Sequence, residues 1–364
     1  MHLSTLSSAP PRDFLQRAIP EIRTGGGRNI VELAKALHMP VETTRYKVKG
    51  MLKRGLSVHA SVDYNKFGLT RYYAYFRLSE KASVNEKKLF SILADQAFLV
   101  SASRRLPSND YICEFAFPRS IDTSFSTLRK FLRGLAEEGV LKDVSVNTIS
   151  SQKFHMIQSE FFDLKHGSWR IDWGKLRKET KLEWPEPKVA EFDELDLMIV
   201  RELELDALTR LSDIATTLKT TLNNIFYHFH KHIVEGKLVD EYIVQWNGTT
   251  KQPVMLVQFS FNDLSLSEER SARSCVSRLP FLWSESIGSD SGLYIAQGMI
   301  HLDDYLDTLS YLAANLEDAA PKLQVSVLDA KSRLTFPLTA HLYKEGSWHF
   351  NAEDVTKQIT KSRK

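Results

Sequence analysis

Apolar residues recur with helical spacing between Asn29 and Leu56, in two runs separated by Pro40. Each run places apolar side chains on one face, which predicts a short helix and then a longer, basic one. Pro40 suits the first turn of the second helix, and Gly55 suits its end. This is the plan of a helix-turn-helix, whose second helix enters the DNA major groove. A surface helix with a solvated basic face is the alternative interpretation.

The same pattern returns later in the chain at a constant offset. Leu33-Ala34-x-x-Leu37 recurs 181 residues on as Ile214-Ala215-x-x-Leu218, and Tyr46 recurs as Tyr227. A fixed offset of this kind is the signature of an internal repeat. The chain is therefore predicted to contain two diverged copies of one unit.

Each copy continues with strand and helix patterns in the order βαββαβ, the order of a ferredoxin-like sandwich. The predicted fold class is α+β, a tandem repeat of a winged helix-turn-helix followed by a ferredoxin-like βαββαβ sandwich. The predicted domains are a disordered arm at 1–11, a winged helix-turn-helix at 12–68, a sandwich with a Trp-containing tail at 69–174, a linker at 175–191, a second winged helix-turn-helix at 192–247 and a second sandwich with its tail at 248–364.

Charge is distributed unevenly along the 364 residues. Through Thr180 there are 29 Lys and Arg against 18 Asp and Glu, and after it 19 against 27. The first copy is therefore where a polyanion would bind. The two cysteines, Cys113 and Cys275, form no disulfide or metal-site pattern, and there is no secretory signal or membrane-length apolar run. These features predict a cytoplasmic protein with no membrane partner.

Several motifs resemble the Lrp/AsnC family of prokaryotic transcription regulators. They are Phe192-Asp193-Glu194-Leu195-Asp196 in the second copy, and Thr43-x-x-Tyr46-Lys47-Val48-Lys49 and Val62-Asp63-Tyr64-Asn65-Lys66-Phe67-Gly68 in the first. The tandem form, with Gly-Ser-Trp after each sandwich, is similar to fused versions found in archaea. The resemblance implies a sequence-specific DNA-binding transcription regulator that is not an enzyme. Its partners would be double-stranded DNA and a second copy of the chain, with the ferredoxin-like domains dimerising and sensing an effector.

DNA contacts are assigned mainly to the first copy. Base reading requires side chains near the start of the second helix, and phosphate contacts require Lys and Arg. The residues predicted to contact DNA are Thr43, Arg45, Tyr46, Lys47, Lys49, Lys53, Arg54 and Arg28. In the second copy the same positions are Asn223, Asn224, Tyr227 and His228. These residues form either a second DNA contact or a degenerate domain kept for packing.

The sequence evidence for a small-ligand site is weaker than the evidence for DNA binding. Asp110 and Tyr111 match the position of the effector turn in amino-acid-sensing relatives, although Pro107 stands ahead of them in place of the expected glycine. His228 and His232 are spaced for one helix face, but zinc needs three or four ligands. The sequence therefore predicts no metal and no cofactor.

Two other hypotheses remain open. The same architecture resembles the siroheme decarboxylases of haem biosynthesis, which also occur as fused pairs and need cationic residues and histidine to hold the substrate's carboxylates. Arg104, Arg105 and His301 are the candidates that this hypothesis would use. The remaining alternative is a sensor or scaffold whose DNA module is vestigial.

Overall fold

The structure is a computed structural model of the full chain. It describes residues 12–25, 27–53, 55–79, 85–108, 110–121, 124–155, 158, 161–163, 168–176, 188–246, 254–289 and 292–362. The arm at 1–11 and most of the linker predicted at 175–191 therefore lie outside the described residues.

The two parts of the chain contain the same kinds of element in nearly the same order. The first part contains α1 Arg12–Gly25, α2 Ile30–Ala36, α3 Val41–Leu52, β1 Leu56–Ser61, β2 Leu69–Leu78, α4 Glu86–Gln96, β3 Leu99–Leu106, β4 Asp110–Pro118, α5 Ser124–Glu137, β5 Leu141–Phe154, β6 Phe162–Asp163 and β7 Ser168–Trp169. The second contains α6 Glu194–Leu205, α7 Leu211–Thr217, α8 Leu222–His228, β8 Glu241–Trp246, β9 Val254–Phe261, α9 Leu266–Val276, β10 Leu282–Gly288, β11 Tyr294–His301, α10 Leu302–Asn315, β12 Leu323–Leu328, β13 Leu334–Thr335, β14 Tyr343–Lys344, β15 Ser347–Trp348 and α11 Ala352–Lys361.

These elements form two compact units, and each unit combines segments from both parts of the chain. One unit contains residues 1–62, 158–171 and 202–253, so it joins helices from both parts of the chain. The other contains residues 63–157, 172–201 and 254–364. We refer to them as the helical unit and the barrel unit.

In the helical unit the two predicted wings pair with each other. Strands β1 and β8 form a two-stranded antiparallel sheet in which Val58 lies opposite Val244. The apolar face of this sheet is buried, as Val58 shows with 1% exposure. Each wing therefore has its pairing edge occupied by the other wing.

The barrel unit contains one closed sheet. Its strands run in the order β12-β9-β11-β10-β5-β2-β4-β3, and β12 pairs again with β3 to close the ring. Each βαββαβ sandwich contributes four strands, joined by the antiparallel β10–β5 and β12–β3 pairs. Closure gives the sheet an interior face and an outer face covered by helices.

Strand β2 shows how the sequence defines the two faces, because its side chains alternate strictly. Tyr73 and Tyr75 belong to the interior of the barrel, where they pack with Ile112, Ile149 and residues from the second sandwich. Tyr72 and Phe76 point to the helix side, where Phe76 is 1% exposed. The interior face is thus unusually polar for a strand with a period-two pattern.

Tryptophans in the tails bind the two sandwiches of the barrel unit together. Trp348, which follows the second sandwich, donates its indole N–H to the carbonyl of Phe67 at 2.8 Å and packs edge-on against Phe98. Trp173, which follows the first sandwich, stacks on Tyr311 of α10 at 5.2 Å. Each tail therefore packs on the sandwich contributed by the other part of the chain.

The predicted α+β class, with helix-turn-helix and ferredoxin-like elements, is confirmed by this architecture. One helix departs from regular α-helical geometry, because α8 ends at His228 and continues as a π-helical turn over Phe229–Glu235. Within the described residues, no helix is both long enough and apolar enough to cross a lipid bilayer.

Candidate functional site

Helix α3 presents most of the predicted DNA-contact side chains to solvent. Tyr46 is 80% exposed, and Thr43, Lys49 and Lys53 are exposed as well. Arg45 forms an ion pair with Glu42 one turn earlier. The ammonium of Lys47 lies 5.0 Å from the ring centre of Phe14. Arg54 lies outside the described residues.

Arg28, for which a phosphate contact was predicted, makes its contacts within the helical unit. Its guanidinium donates hydrogen bonds to the carbonyl oxygens of Ala207 and Thr209 and lies 4.9 Å from the ring centre of Phe229. Burial lowers the pKa of Arg28, and the nearby Tyr242 and Asp206 oppose that shift. The structure therefore places Arg28 inside the helical unit, where it links the two helix-turn-helix modules.

The second helix-turn-helix divides its predicted residues between two environments. Asn223, Asn224 and Tyr227 are exposed on α8, whereas His228 is buried with 8% exposure. The imidazole rings of His228 and His232 lie 4.9 Å apart, as expected from their spacing. His228 therefore lies below the exposed surface that Asn223, Asn224 and Tyr227 form on α8, and the second DNA contact stays a prediction.

A cavity of about 550 Å³ opens inside the barrel unit. This volume is within the range of small-molecule sites. Both sandwiches contribute to its lining, and most of the lining side chains are polar. They are Tyr75, Phe76, Arg77, Arg105, Ser108, Asp110, Asp143, Ser145 and Asn147 from the first sandwich, and Gln258, Ser260, Asn262, Leu293 and Gln324 from the second.

Arg105 and Asp110 form the more enclosed ion pair of the cavity. The Nε of Arg105 donates to Oδ1 of Asp110 at 2.9 Å, and a second guanidinium nitrogen contacts Oδ2. Ser108 donates to the same carboxylate. Burial opposes ionisation of Asp110, but the hydrogen bonds from Arg105 and Ser108 outweigh it and hold its pKa below the ordinary value. This pair is therefore charged at neutral pH.

Arg77 and Asp143 form a second, more open pair. The Nε of Arg77 donates to Oδ2 of Asp143 at 2.7 Å, and the two side chains are 56% and 60% exposed. Ion pairs with this exposure contribute only about 0–1 kcal/mol. A ligand carboxylate could therefore replace Asp143 at Arg77 at little cost.

Tyr75 provides a hydroxyl next to these pairs. Its oxygen accepts a hydrogen bond from the Nε2 of Gln258 at 3.4 Å, and Gln297 in turn donates to Gln258 at 3.0 Å. Burial raises the pKa of Tyr75 to about 12, so the phenol stays protonated. Because its oxygen is the acceptor in this chain, its own hydrogen remains available to a ligand.

The structure separates the small-ligand candidates of the sequence analysis. Asp110 lines the cavity, but Tyr111 lies on the opposite face of β4, with its ring 5.0 Å from that of Phe90. Arg105 lines the cavity, whereas Arg104 pairs with Asp329 at 2.6 Å. His301 is buried at the end of β11, where burial lowers its pKa. Of these residues only Asp110 and Arg105 belong to the cavity.

The sequence analysis missed Tyr75, Arg77 and Gln258. A signal for the first two is present, because Arg71, Tyr73, Tyr75 and Arg77 occupy alternate positions of β2. Charged and aromatic residues at every second position of a strand lie on one face, and such a face indicates that this side of the strand lines a polar space. Gln258 lies on a strand of the other sandwich, and only the closed sheet brings it to Tyr75.

Comparisons with known proteins give similarity in structure alone. No family model matches the chain, and no curated protein sequence matches it either. The crystal structure of the siroheme decarboxylase NirDL matches with a TM-score of 0.56 and 9% identity, over 96% of this chain and 98% of that one. The same enzyme in co-complex with an iron-uroporphyrin III analogue matches with a TM-score of 0.56 and 10% identity, over 97% and 99%. A transcriptional regulatory protein of the AsnC family from Pyrococcus furiosus matches with a TM-score of 0.28 and 23% identity, over 46% of this chain and 98% of that one.

These matches correct the function inferred from the sequence. We expected a transcription regulator that is not an enzyme, but the siroheme decarboxylase structures that match nearly the whole chain are those of an enzyme. The helix-turn-helix and sandwich motifs define an architecture, and an architecture is shared by proteins with different activities. The expectations of a DNA-binding regulator and of no enzymatic activity were therefore wrong.

Proposed function

We propose that this protein is an enzyme that binds a carboxylate-bearing tetrapyrrole in the barrel cavity and releases carboxyl groups as CO2, as a siroheme decarboxylase does. The observation that carries the proposal is the polar cavity of about 550 Å³ with Arg77 and Arg105 in its lining. The full-length similarity in fold to NirDL supports the choice of reaction and substrate class.

The two arginines would hold the substrate through its carboxylates. Arginine presents a planar fork of N–H donors that matches a carboxylate with two parallel hydrogen bonds. Arg77 can exchange its exposed partner Asp143 for a substrate carboxylate. Arg105 keeps its Nε and one terminal nitrogen on Asp110 and would offer its other terminal nitrogen to the substrate. The amides of Asn147, Gln258 and Gln324 would orient the remaining polar groups.

Decarboxylation also requires a proton. The bond between the carboxyl carbon and its neighbouring carbon breaks, the electron pair stays on that neighbouring carbon, and a proton adds there as CO2 leaves. The cavity-lining phenol of Tyr75 remains protonated at neutral pH and has its hydrogen available to a ligand. We assign it as the proton donor, with solvent restoring its proton after each turnover.

Absorbance titration with siroheme tests binding, and mass spectrometry of the incubated ligand tests loss of CO2. We expect the double variant Arg77→Gln, Arg105→Gln to bind siroheme about 10- to 100-fold more weakly, because it loses hydrogen bonds from charged donors. Arg129→Gln, on the exposed face of α5, is the matched control and should bind normally. A wild-type protein that leaves the siroheme spectrum unchanged would rule the proposal out.

A second pair of variants tests the proton donor. Tyr75→Phe should lower turnover much more than it lowers binding, because the hydroxyl is needed after the substrate has bound. Tyr72→Phe is the matched control, since Tyr72 lies on the helix side of the same strand and bonds to Ser124. Equal turnover in wild type and Tyr75→Phe would show that the proton comes from another source.

A further inference from the structure

Two glutamines face each other in a mainly apolar part of the barrel interior. Gln258 on β9 lies directly opposite Gln297 on β11 in the antiparallel register, and Gln258 is 1% exposed. Residues two positions away lie on the same strand faces. They are Leu256, Ile295 and Met299, which pack in the apolar interior. Burying an amide among such residues is costly unless its donor and acceptor groups are hydrogen-bonded. The hydrogen-bond partners of the two amides therefore decide how these side chains are oriented.

The two amides form a chain of hydrogen bonds that leads to the cavity. The Nε2 of Gln297 donates to the Oε1 of Gln258 at 3.0 Å, and the Nε2 of Gln258 donates to the hydroxyl oxygen of Tyr75 at 3.4 Å. Among the described residues, Gln258 and Tyr75 belong to the cavity lining and Gln297 does not. Gln297 therefore lies one hydrogen bond behind the cavity wall.

The contact with Gln297 favours one of the two possible directions of the Gln258 amide. A glutamine side chain has an acceptor oxygen at one end of its amide and a donor nitrogen at the other. Because Gln297 donates to the oxygen, the nitrogen of Gln258 is the end that faces Tyr75. An amide turned by 180° would lose the hydrogen bond from Gln297 and present its oxygen to the tyrosine.

The direction of the Gln258 amide in turn sets the direction of the Tyr75 hydroxyl. Facing a nitrogen donor, the phenol oxygen accepts, and its hydrogen is left for a ligand in the cavity. Facing an amide oxygen, the hydroxyl would donate to Gln258 instead. A ligand would then have to break that hydrogen bond first, which corresponds to a factor of about three to ten for a neutral hydrogen bond.

We propose that Gln297 is a positioning residue for Tyr75. Through the amide of Gln258, it keeps the Tyr75 hydroxyl turned so that its hydrogen is available to a ligand in the cavity. The effect of Gln297 on turnover rests on the proposed function, in which Tyr75 donates the proton. The direction of the hydroxyl in the ligand-free protein does not rest on that function.

The variant Gln297→Met tests the effect on turnover. Methionine has a similar size, cannot donate a hydrogen bond, and matches the apolar neighbours Ile295 and Met299, so the fold should be retained. We expect siroheme turnover to fall about three- to tenfold while the dissociation constant for siroheme stays near that of wild type. Gln297→Leu is a second variant with the same expected result. Loss of binding with unchanged turnover of bound siroheme would contradict a positioning role.

The matched control is a second pair of glutamines. Gln96 donates to Gln358 at 2.8 Å and joins α4 to α11 at the surface of the same unit. Gln96→Met removes the same kind of hydrogen bond without a link to the cavity, so turnover and binding should equal those of wild type.

A double variant tests whether Gln297 acts through the tyrosine. When Gln297→Met is added to Tyr75→Phe, no further loss of turnover is expected, because the hydroxyl that Gln297 directs is already absent. A further loss as large as the one in the wild-type background would mean that Gln297 acts by another route, and it would overturn the proposal.

Raman spectroscopy of the ligand-free protein gives a readout that does not need turnover. The difference between the spectra of the full chain and of Tyr75→Phe isolates the Tyr75 ring, whose doublet bands report whether the phenol accepts or donates a hydrogen bond. We expect an acceptor in the wild-type protein and a shift towards a donor in Gln297→Met. The same doublet in both would overturn the proposal. If the wild-type protein leaves siroheme unchanged, the proposed function fails, and the Raman comparison still decides the role of Gln297.

Discussion

The two sandwiches of the barrel unit have the same fold and opposite distributions of charge. In the first sandwich, charged residues face the barrel interior, where Arg71 pairs with Glu114. The helix side of this sheet is apolar instead, with fully buried aromatic rings at Phe76, Phe90, Phe115 and Phe117. The first sandwich therefore combines an apolar helix layer with an interior face that carries charged side chains.

The second sandwich reverses this arrangement. The side chains that it contributes to the cavity lining are uncharged, among them Gln258 and Gln324. A buried charge of this sandwich lies under the helices, where Glu285 is 2% exposed and accepts a hydrogen bond from Tyr294. In the cavity lining, therefore, the charged side chains come from the first sandwich and the second sandwich adds neutral hydrogen-bonding groups.

The largest effect is expected from breaking the interior ion pair of the first sandwich. Glu114→Ala leaves Arg71 buried without its carboxylate partner and should lower the free energy of unfolding by about 3–5 kcal/mol. Chemical denaturation measures this change. Glu137→Ala, at an exposed position of α5, is the control and should have little effect. A loss below 1 kcal/mol would show that the pair is not structural.

A smaller effect is expected at the helix side of the second sandwich. Tyr294→Phe removes a hydroxyl that donates to the buried Glu285 and should cost about 1–3 kcal/mol. The same denaturation experiment applies, with Tyr46→Phe as a control at an 80% exposed site. If Tyr294→Phe were as stable as wild type, Glu285 would not depend on this donor.

The pH dependence of stability provides a third comparison. Burial, with the charges of Asp303 and Asp307, raises the pKa of Asp304 from 3.8 to about 6 in the folded protein. The folded state then binds the proton more tightly, so this group makes stability fall as pH rises from about 4 to about 6. Asp304→Asn should flatten the curve in that window. Thermal melts across this range would contradict the assignment if wild type and variant had parallel curves.

The smallest effect on stability is expected at the open end of β2. Arg77→Gln removes an exposed ion pair and should change the free energy of unfolding by about 0–1 kcal/mol. Its effect on ligand binding should be much larger, and this separates Arg77 from Arg71 on the same strand. A large loss of stability in Arg77→Gln would show that the two pairs have similar structural roles.

Much of the fold follows from local pattern. Helices α2 and α3 and the order βαββαβ could be inferred because helix and strand periods are properties of short stretches. The residues of the candidate site were harder to predict from the sequence. Arg105 and Asp110 were identified as candidates, but Gln258 was not, because it lies on a strand far from them in the chain. Arg77 was missed although the alternation on β2 carries a signal for it.

The exposed basic helix α3 shows what a local pattern leaves open. Lys47 and Arg45 were predicted as DNA contacts because both are cationic, but that pattern does not give the partners that these side chains have within the fold. The structure supplies those partners, namely the ring of Phe14 and the carboxylate of Glu42. Arg28 shows the same limit more strongly, since its two carbonyl partners are about 180 positions away.

The sequence by itself determined the α+β class and the alternation on β2, because backbone geometry and the burial of apolar faces act over a few residues. Tertiary structure alone decided which faces meet. It joined the two wings to each other, closed eight strands into a barrel, and brought Gln258 to Tyr75. These contacts depend on strand pairings between distant segments. The register of those pairings is set by the packing of the whole barrel and not by any single stretch.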